Sequence, residues 1–180
     1  MRIVGGASRG RTLRSVPGNS TRPTSDRVRQ SLFDLLGQRM DGLAVLDLYA
    51  GTGALALEAV SRGAARAVLV ENDPRACAVI HGNLADLRCE ALCTVVRDEL
   101  PAAFARLRGK FDLVFSDPPY ALRASQQTLD GLSTNNLLAP GARVVLEMDR
   151  RDQAPHCPAG LQIADDRRYG DTRIIVVSAE

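Results

Sequence analysis

The sequence predicts an α/β fold: a doubly wound, mostly parallel sheet with an antiparallel last strand, preceded by a basic N-terminal extension. Three observations carry this reading. From Leu43 onward, short runs rich in Val, Leu and Ile alternate with helical stretches, the pattern of strand–helix–strand units. The runs are apolar at successive positions, so both faces of the sheet are covered. The first 40 residues hold eight arginines against Asp26 and Asp34, while the remaining 140 hold 15 cations and 19 carboxylates.

Residues 1–20 set the β-prone pieces Arg2-Ile3-Val4 and Thr12-Leu13-Arg14 among Gly, Ser and Pro, which predicts an irregular hairpin or arm. Pro17, Gly18 and Pro23 punctuate it. A helix then starts with Thr24 or Ser25 as N-cap and carries Val28, Leu32, Leu35 and Leu36 on one face. Arg27 and Arg29 fall off that face. Strands are predicted at 43–49, 67–71, 93–96, 111–115, 143–148 and 173–177, and helices at 54–62, 74–87, 99–107 and 125–138. Pro155, Pro158 and Gly160 leave no long helix between the last two strands, so the final strand is expected to run antiparallel at the sheet edge. The chain divides into a basic arm with its helix (1–40) and the α/β body (41–180).

With 180 residues, 45% of them apolar, the chain can bury one real core. Four cysteines are too few for a disulfide scaffold, and the closest pair, Cys89 and Cys93, lacks C-x-x-C spacing. Reduced thiols, no metal and a cytoplasmic location are expected. No apolar run approaches the roughly 18 residues of a membrane span, and no signal-peptide core follows Met1. Arginine makes up 22 of the 23 cations, which explains Arg over Lys but not the clustering. A basic arm on a mildly acidic body points to a polyanion held at one end.

Three strand ends carry unusual residues. The first reads Asp47-Leu48-Tyr49-Ala50-Gly51-Thr52-Gly53, where two glycines permit a tight turn and close approach of backbone to a ligand. Glu71, some 18 residues past Gly53, is placed to accept from both hydroxyls of a ribose, while Asp73-Pro74 suits a helix cap. The fourth strand ends in Ser116-Asp117-Pro118-Pro119-Tyr120. Consecutive prolines fix the backbone and leave the Pro118 carbonyl without a local turn partner. Beside it, Asp117 adds a second acceptor, so the pair matches the two N–H groups of a conjugated exocyclic amine. Tyr120 offers a flat face for a base.

Asp47 to Gly53, Glu71 and Asp117 to Tyr120 resemble motifs I, II and IV of class I, Rossmann-like, S-adenosylmethionine-dependent methyltransferases. Three arm segments narrow the resemblance: Arg2-Ile3-Val4-Gly5-Gly6, Arg9-Gly10-Arg11-Thr12-Leu13 and Thr21-Arg22-Pro23-Thr24-Ser25-Asp26-Arg27-Val28-Arg29. With Tyr169-Gly170-Asp171-Thr172, they are similar to the bacterial 16S rRNA (guanine-N2)-methyltransferase family. The resemblance implies methyl transfer from S-adenosylmethionine to N2 of one guanine, conventionally position 966, in the small ribosomal subunit. It implies that Asp47, Gly51 and Gly53 line the methionine end of the cofactor, Glu71 its ribose, and Asp98 its adenine. Asp117, Pro118, Pro119 and Tyr120 would be the catalytic group. Arg9, Arg11, Arg22, Arg27 and Arg29 would contact RNA, with the protein acting as a monomer.

Four other readings compete. A nicotinamide dehydrogenase shares Gly51-x-Gly53-x-x-Ala56 but explains neither Asp-Pro-Pro-Tyr nor the arm. A DNA amino-methyltransferase needs a larger target-recognition region. A protein glutamine methyltransferase more often carries Asn at position 117. An RNA-binding assembly factor would leave the strand-end motifs without purpose. Methylation at C5 of a pyrimidine needs a thiolate nucleophile, and no cysteine follows a motif strand.

Overall fold

The structure, a computed structural model, describes residues 1–17, 26–119 and 124–180. The arm folds back as a hairpin: Ile3 N–H donates to the Arg11 carbonyl at 2.9 Å and Leu13 N–H to the Met1 carbonyl at 3.0 Å. The helix α1 (Asp26–Leu36) follows. Strands β1 (Ala44–Leu48), β2 (Arg66–Glu71), β3 (Cys93–Arg97), β4 (Phe111–Ser116), β5 (Leu138–Asp149), β6 (Leu161–Tyr169) and β7 (Thr172–Ala179) form one sheet in the order β3-β2-β1-β4-β5-β7-β6. The helices α2 (Ala54–Ser61), α3 (Pro74–Leu87) and α4 (Ser125–Thr134) connect strands along the chain. The first five strands are parallel, and β7 runs antiparallel to both β5 and β6.

Alternation along each strand distributes side chains to two cores. On one face the hairpin's Ile3 and Leu13 and α1's Leu32 and Phe33 join Val45, Leu57, Ile80 and Phe115. On the other, Phe104, Leu129 and Leu132 cover Leu46, Leu48, Val114 and Ile175. Because Val45 and Leu46 serve opposite faces, Asp47 emerges on the side of α2.

The structure corrects several expectations. The stretch predicted as a helix over 99–107 holds only a 3₁₀ turn, Ala102–Arg106. Pro101 and Gly109 leave it too little chain for more. The helix predicted to reach 138 stops at Thr134, and left-handed Asn136 (φ 53) turns the chain into β5. Strand β6 went unpredicted because its Asp165-Asp166-Arg167-Arg168 run carries no apolar pattern; an edge strand does not need one. So β7 is antiparallel, but β6, not β7, forms the edge. In α1 the buried set is Arg29, Leu32, Phe33 and Leu36, which puts Arg29 on the inner face.

Candidate active site

The strand order reverses between β1 and β4, which sends their connections to opposite flanks and opens a crevice beyond their carboxyl ends. Both strongest motifs meet there. Leu48 pairs in register with Val70 on one side and Ser116 on the other. The Asp117 N–H reaches the Leu48 carbonyl at 3.5 Å.

Tyr49, Gly51 and Gly53 all take left-handed backbone, with φ of 60, 56 and 77. The two glycines differ in purpose. A Cβ at Gly51 would meet only the Tyr49 carbonyl oxygen, at 4.0 Å, so that turn faces open space. A Cβ at Gly53 would lie 2.9 Å from Leu69 Cδ2, so Gly53 lets the start of α2 press onto β2. Tyr49 has no such excuse. A bulky residue in this region stores about 1–3 kcal/mol of strain, and such residues concentrate at functional sites. Its ring packs against the face covered by α4, and burial pushes its phenol pKa up.

The carboxylates at the strand ends are held by backbone. Asp47, 2% exposed, accepts from Ala56 N–H at 3.0 Å. Burial drives its pKa up to about 8, against the pull of that N–H and with a smaller push from Glu71. Glu71 accepts from Gly51 N–H at 2.8 Å through one oxygen, and from Asn72 and Asp73 N–H at 2.9 Å each through the other. That clamp aims a carboxylate across the first loop with lone pairs to spare. Asp73 caps α3 through Arg75 N–H at 2.8 Å, with Pro74 at the first helical position, as its sequence context predicts. Asp98 ends β3, where its carboxylate takes Glu99 N–H at 2.9 Å and pairs with Arg106 at 2.9 Å.

On the β4 side, Pro118 is buried and Pro119 exposed beside half-buried Asp117. Ser116 and Thr128 share a buried hydroxyl contact at 3.2 Å that ties this strand end to α4. Tyr120 lies outside the described residues, as does Arg22.

The arm arginines separate into two kinds. Arg29 is fully buried: it pairs with Asp26 at 2.9 Å, lies 3.5 Å from Glu58 and donates to the Arg2 carbonyl. Contact with RNA does not fit that burial. Arg9 and Arg27 are exposed, and Arg11 is exposed but donates to the Asp86 carbonyl at 2.5 Å. Their positions differ too. Ala7 and Ser8 bond to Ser61 at the far end of α2, so Arg9 lies about 12 Å along that helix from the first loop. Arg27 sits in the first turn of α1, whose last carbonyl accepts from Arg143 on β5.

Comparison with known proteins gives this geometry its family. The model of the family described as Conserved hypothetical protein 95 matches residues 1–178. Ribosomal RNA small subunit methyltransferase D of Escherichia coli is 35% identical over 170 residues, covering 94% of this chain and 85% of that protein. Its Haemophilus influenzae counterpart is 33% identical over 153 residues, covering 83% and 79%. The chain belongs to this family. The family is one of S-adenosylmethionine-dependent methyltransferases, and the two relatives just named are ribosomal RNA methyltransferases. The solved structure of yhhF from Escherichia coli superposes with a TM-score of 0.91 at 33% identity, covering 100% of this chain and 98% of that one. The fold is therefore the methyltransferase fold, and the cofactor is S-adenosylmethionine.

The residues fit that cofactor. Clamped Glu71 suits a ribose diol, the turn at Gly51 leaves room for a ligand beside backbone, and Asp47 is a buried acid that a nearby cation would ionise. Among the described residues no group of His, Cys, Asp and Glu could hold a metal ion. All four cysteines are free thiols, and no described helix is long and apolar enough to cross a membrane.

Three features of the site have no signal in the sequence: the strain at Tyr49, the Thr128 tie and the bond from Asn83 to the Thr52 carbonyl. None carries a local signal, since backbone angle and helix-to-loop contact depend on the assembled fold.

Proposed function

We propose that the protein methylates the exocyclic N2 of guanine 966 of 16S rRNA in the small ribosomal subunit, as a cytoplasmic monomer. The observation that supports this reading best is the hydrogen bond from Asp117 N–H to the Leu48 carbonyl, which joins the Asp117-Pro118 segment to the end of β1 beside the Gly51–Gly53 loop. When bound, S-adenosylmethionine supplies an activated methyl group on sulfur. The chain's own residues do the positioning. The Asp117 carboxylate and Pro118 carbonyl accept the two N–H groups of the guanine amine and turn its lone pair toward the methyl carbon. On taking the methyl group the nitrogen would become cationic; Asp117 would stabilise that charge until the extra proton passes to water, and S-adenosylhomocysteine would leave. Tyr120 stacks on the guanine, which must stand out of its helix to enter the crevice. Residues 41–180 carry this chemistry. Residues 1–40 hold phosphates through Arg9, Arg11, Arg22 and Arg27, giving salt-sensitive affinity.

The test is methyl transfer from labelled S-adenosylmethionine to unmethylated small subunits, bare 16S RNA and duplex DNA, with nucleosides identified by mass spectrometry. N2-methylguanosine from subunits is the expected product. Methylated adenine or cytosine, or label on DNA, would overturn the substrate while keeping the amino-methyltransferase chemistry.

A further inference from the structure

Asn83 is fully buried on α3, and it uses both ends of its amide. Its Oδ1 accepts from Arg14 N–H at 2.7 Å. Its Nδ2 donates to the Thr52 carbonyl at 2.9 Å and to the Arg14 carbonyl at 3.4 Å. Thr52 stands between the two glycines of the cofactor loop, and Arg14 continues the second strand of the arm hairpin. One rigid amide plane therefore joins two segments that are remote in sequence and belong to the two halves of the reaction. Loss of either contact strands a buried polar group, so the bridge favours one joint arrangement of loop and arm over partial ones. The neighbouring clamp differs. Arg14 also holds Asp86 through two hydrogen bonds of 2.8 Å, but that exposed pair touches no part of the cofactor loop.

We propose that Asn83 is a positioning residue that couples RNA binding to cofactor binding. Ligand on the loop orders Thr52, and Asn83 passes that order to the hairpin; RNA on the arm acts in the opposite direction. Linkage requires the two effects to be equal in size. The proposal rests on the RNA and cofactor reading above and adds the device that makes the two sites interdependent.

The experiment measures the affinity of S-adenosylhomocysteine by equilibrium dialysis, with and without saturating unmethylated small subunits. The wild-type protein should bind it about 5-fold or more tightly when subunits are present. In Asn83→Ala that ratio should fall to about one, whereas Asp86→Asn should keep the wild-type ratio, because it loosens the arm without touching the loop. A wild-type ratio of one, or a wild-type ratio in Asn83→Ala, overturns the coupling. Failure of the wild-type protein to bind either ligand would instead overturn the functional reading itself. A second measurement uses only the wild-type protein, should Asn83→Ala not fold. S-adenosylhomocysteine alone should slow hydrogen exchange at the hairpin amides of Ile3, Gly10, Leu13 and Arg14. Unchanged exchange there, with slowed exchange at Gly51, would contradict the proposal.

Discussion

At the ends of β1 and β2, carboxylates are held by backbone N–H groups: Asp47 by Ala56, and Glu71 by Gly51, Asn72 and Asp73. Where the arm meets the body, the roles invert, and arginines are held by carboxylates: Arg14 by Asp86, Arg29 by Asp26 and Glu58, and Arg62 by Glu58. The first arrangement fixes an anion yet leaves it lone pairs for a ligand. The second spends much of its charge on the fold. A count of arginines therefore overstates the arm's capacity for RNA: Arg29 is spent on the fold, while exposed Arg9, Arg11 and Arg27 keep charge to offer.

The contrast breaks hardest at Arg29. Arg29→Met removes one member of a buried ionic cluster and leaves Glu58 and the Arg2 carbonyl short of a partner, so it should destabilise the protein by about 3–5 kcal/mol. Urea denaturation checks this; a loss below about 1 kcal/mol would return Arg29 to the surface set. On the cofactor side, Glu71→Gln replaces a charged acceptor and presents N–H to N–H in the clamp. A loss of about 1.5–3 kcal/mol in S-adenosylhomocysteine affinity, on the order of 10- to 100-fold, is expected from calorimetry. Arg27→Ala should leave thermal unfolding unchanged, weaken subunit binding, and lower the slope of log affinity against log salt by about 1. Arg9→Ala, on the far side of α2, should alter that slope less. Equal effects from both would mean that RNA wraps the whole arm.

Asp47 sets a pH dependence. Its folded pKa lies far above that of an unfolded carboxyl, so the folded state holds a proton that the unfolded chain releases. Stability from this group is present at low pH and is lost as pH rises from about 4 towards 8. Asp47→Asn resembles the protonated acid, so it should change stability little near pH 5 and remove part of the decline up to pH 8. Thermal unfolding across that range reads the slope. An identical slope in the variant would mean that Asp47 is ionised in the folded protein.

The parallel body was legible because buried strands must be apolar on both faces, a pattern that survives in β1, β2 and β4 without any partner in view. The candidate site residues were legible for a related reason: Asp47, Glu71 and Asp117 interrupt such runs near their carboxyl ends. Strand β6 was not, since at the edge its charged side chains face water. Arg29 was misread because a guanidinium on an apolar helix looks exposed until its carboxylate partner arrives from α2, 29 residues later. At Gly53 the sequence does not show the packing role, the clearance of Leu69 that lets α2 press onto β2. In each case the deciding contact is long-range, and local periodicity carries no trace of it.

In the proposed reaction Asp117 serves the amine that accepts the methyl group and not the cofactor. Asp117→Ala, loaded with labelled S-adenosylmethionine and mixed with unmethylated small subunits, tests it in a single turnover with nucleoside readout. The wild-type protein should form N2-methylguanosine and the variant should form it at least about 100-fold more slowly, with S-adenosylhomocysteine affinity unchanged. Wild-type turnover by the variant, or a loss explained wholly by weaker cofactor binding, would contradict it.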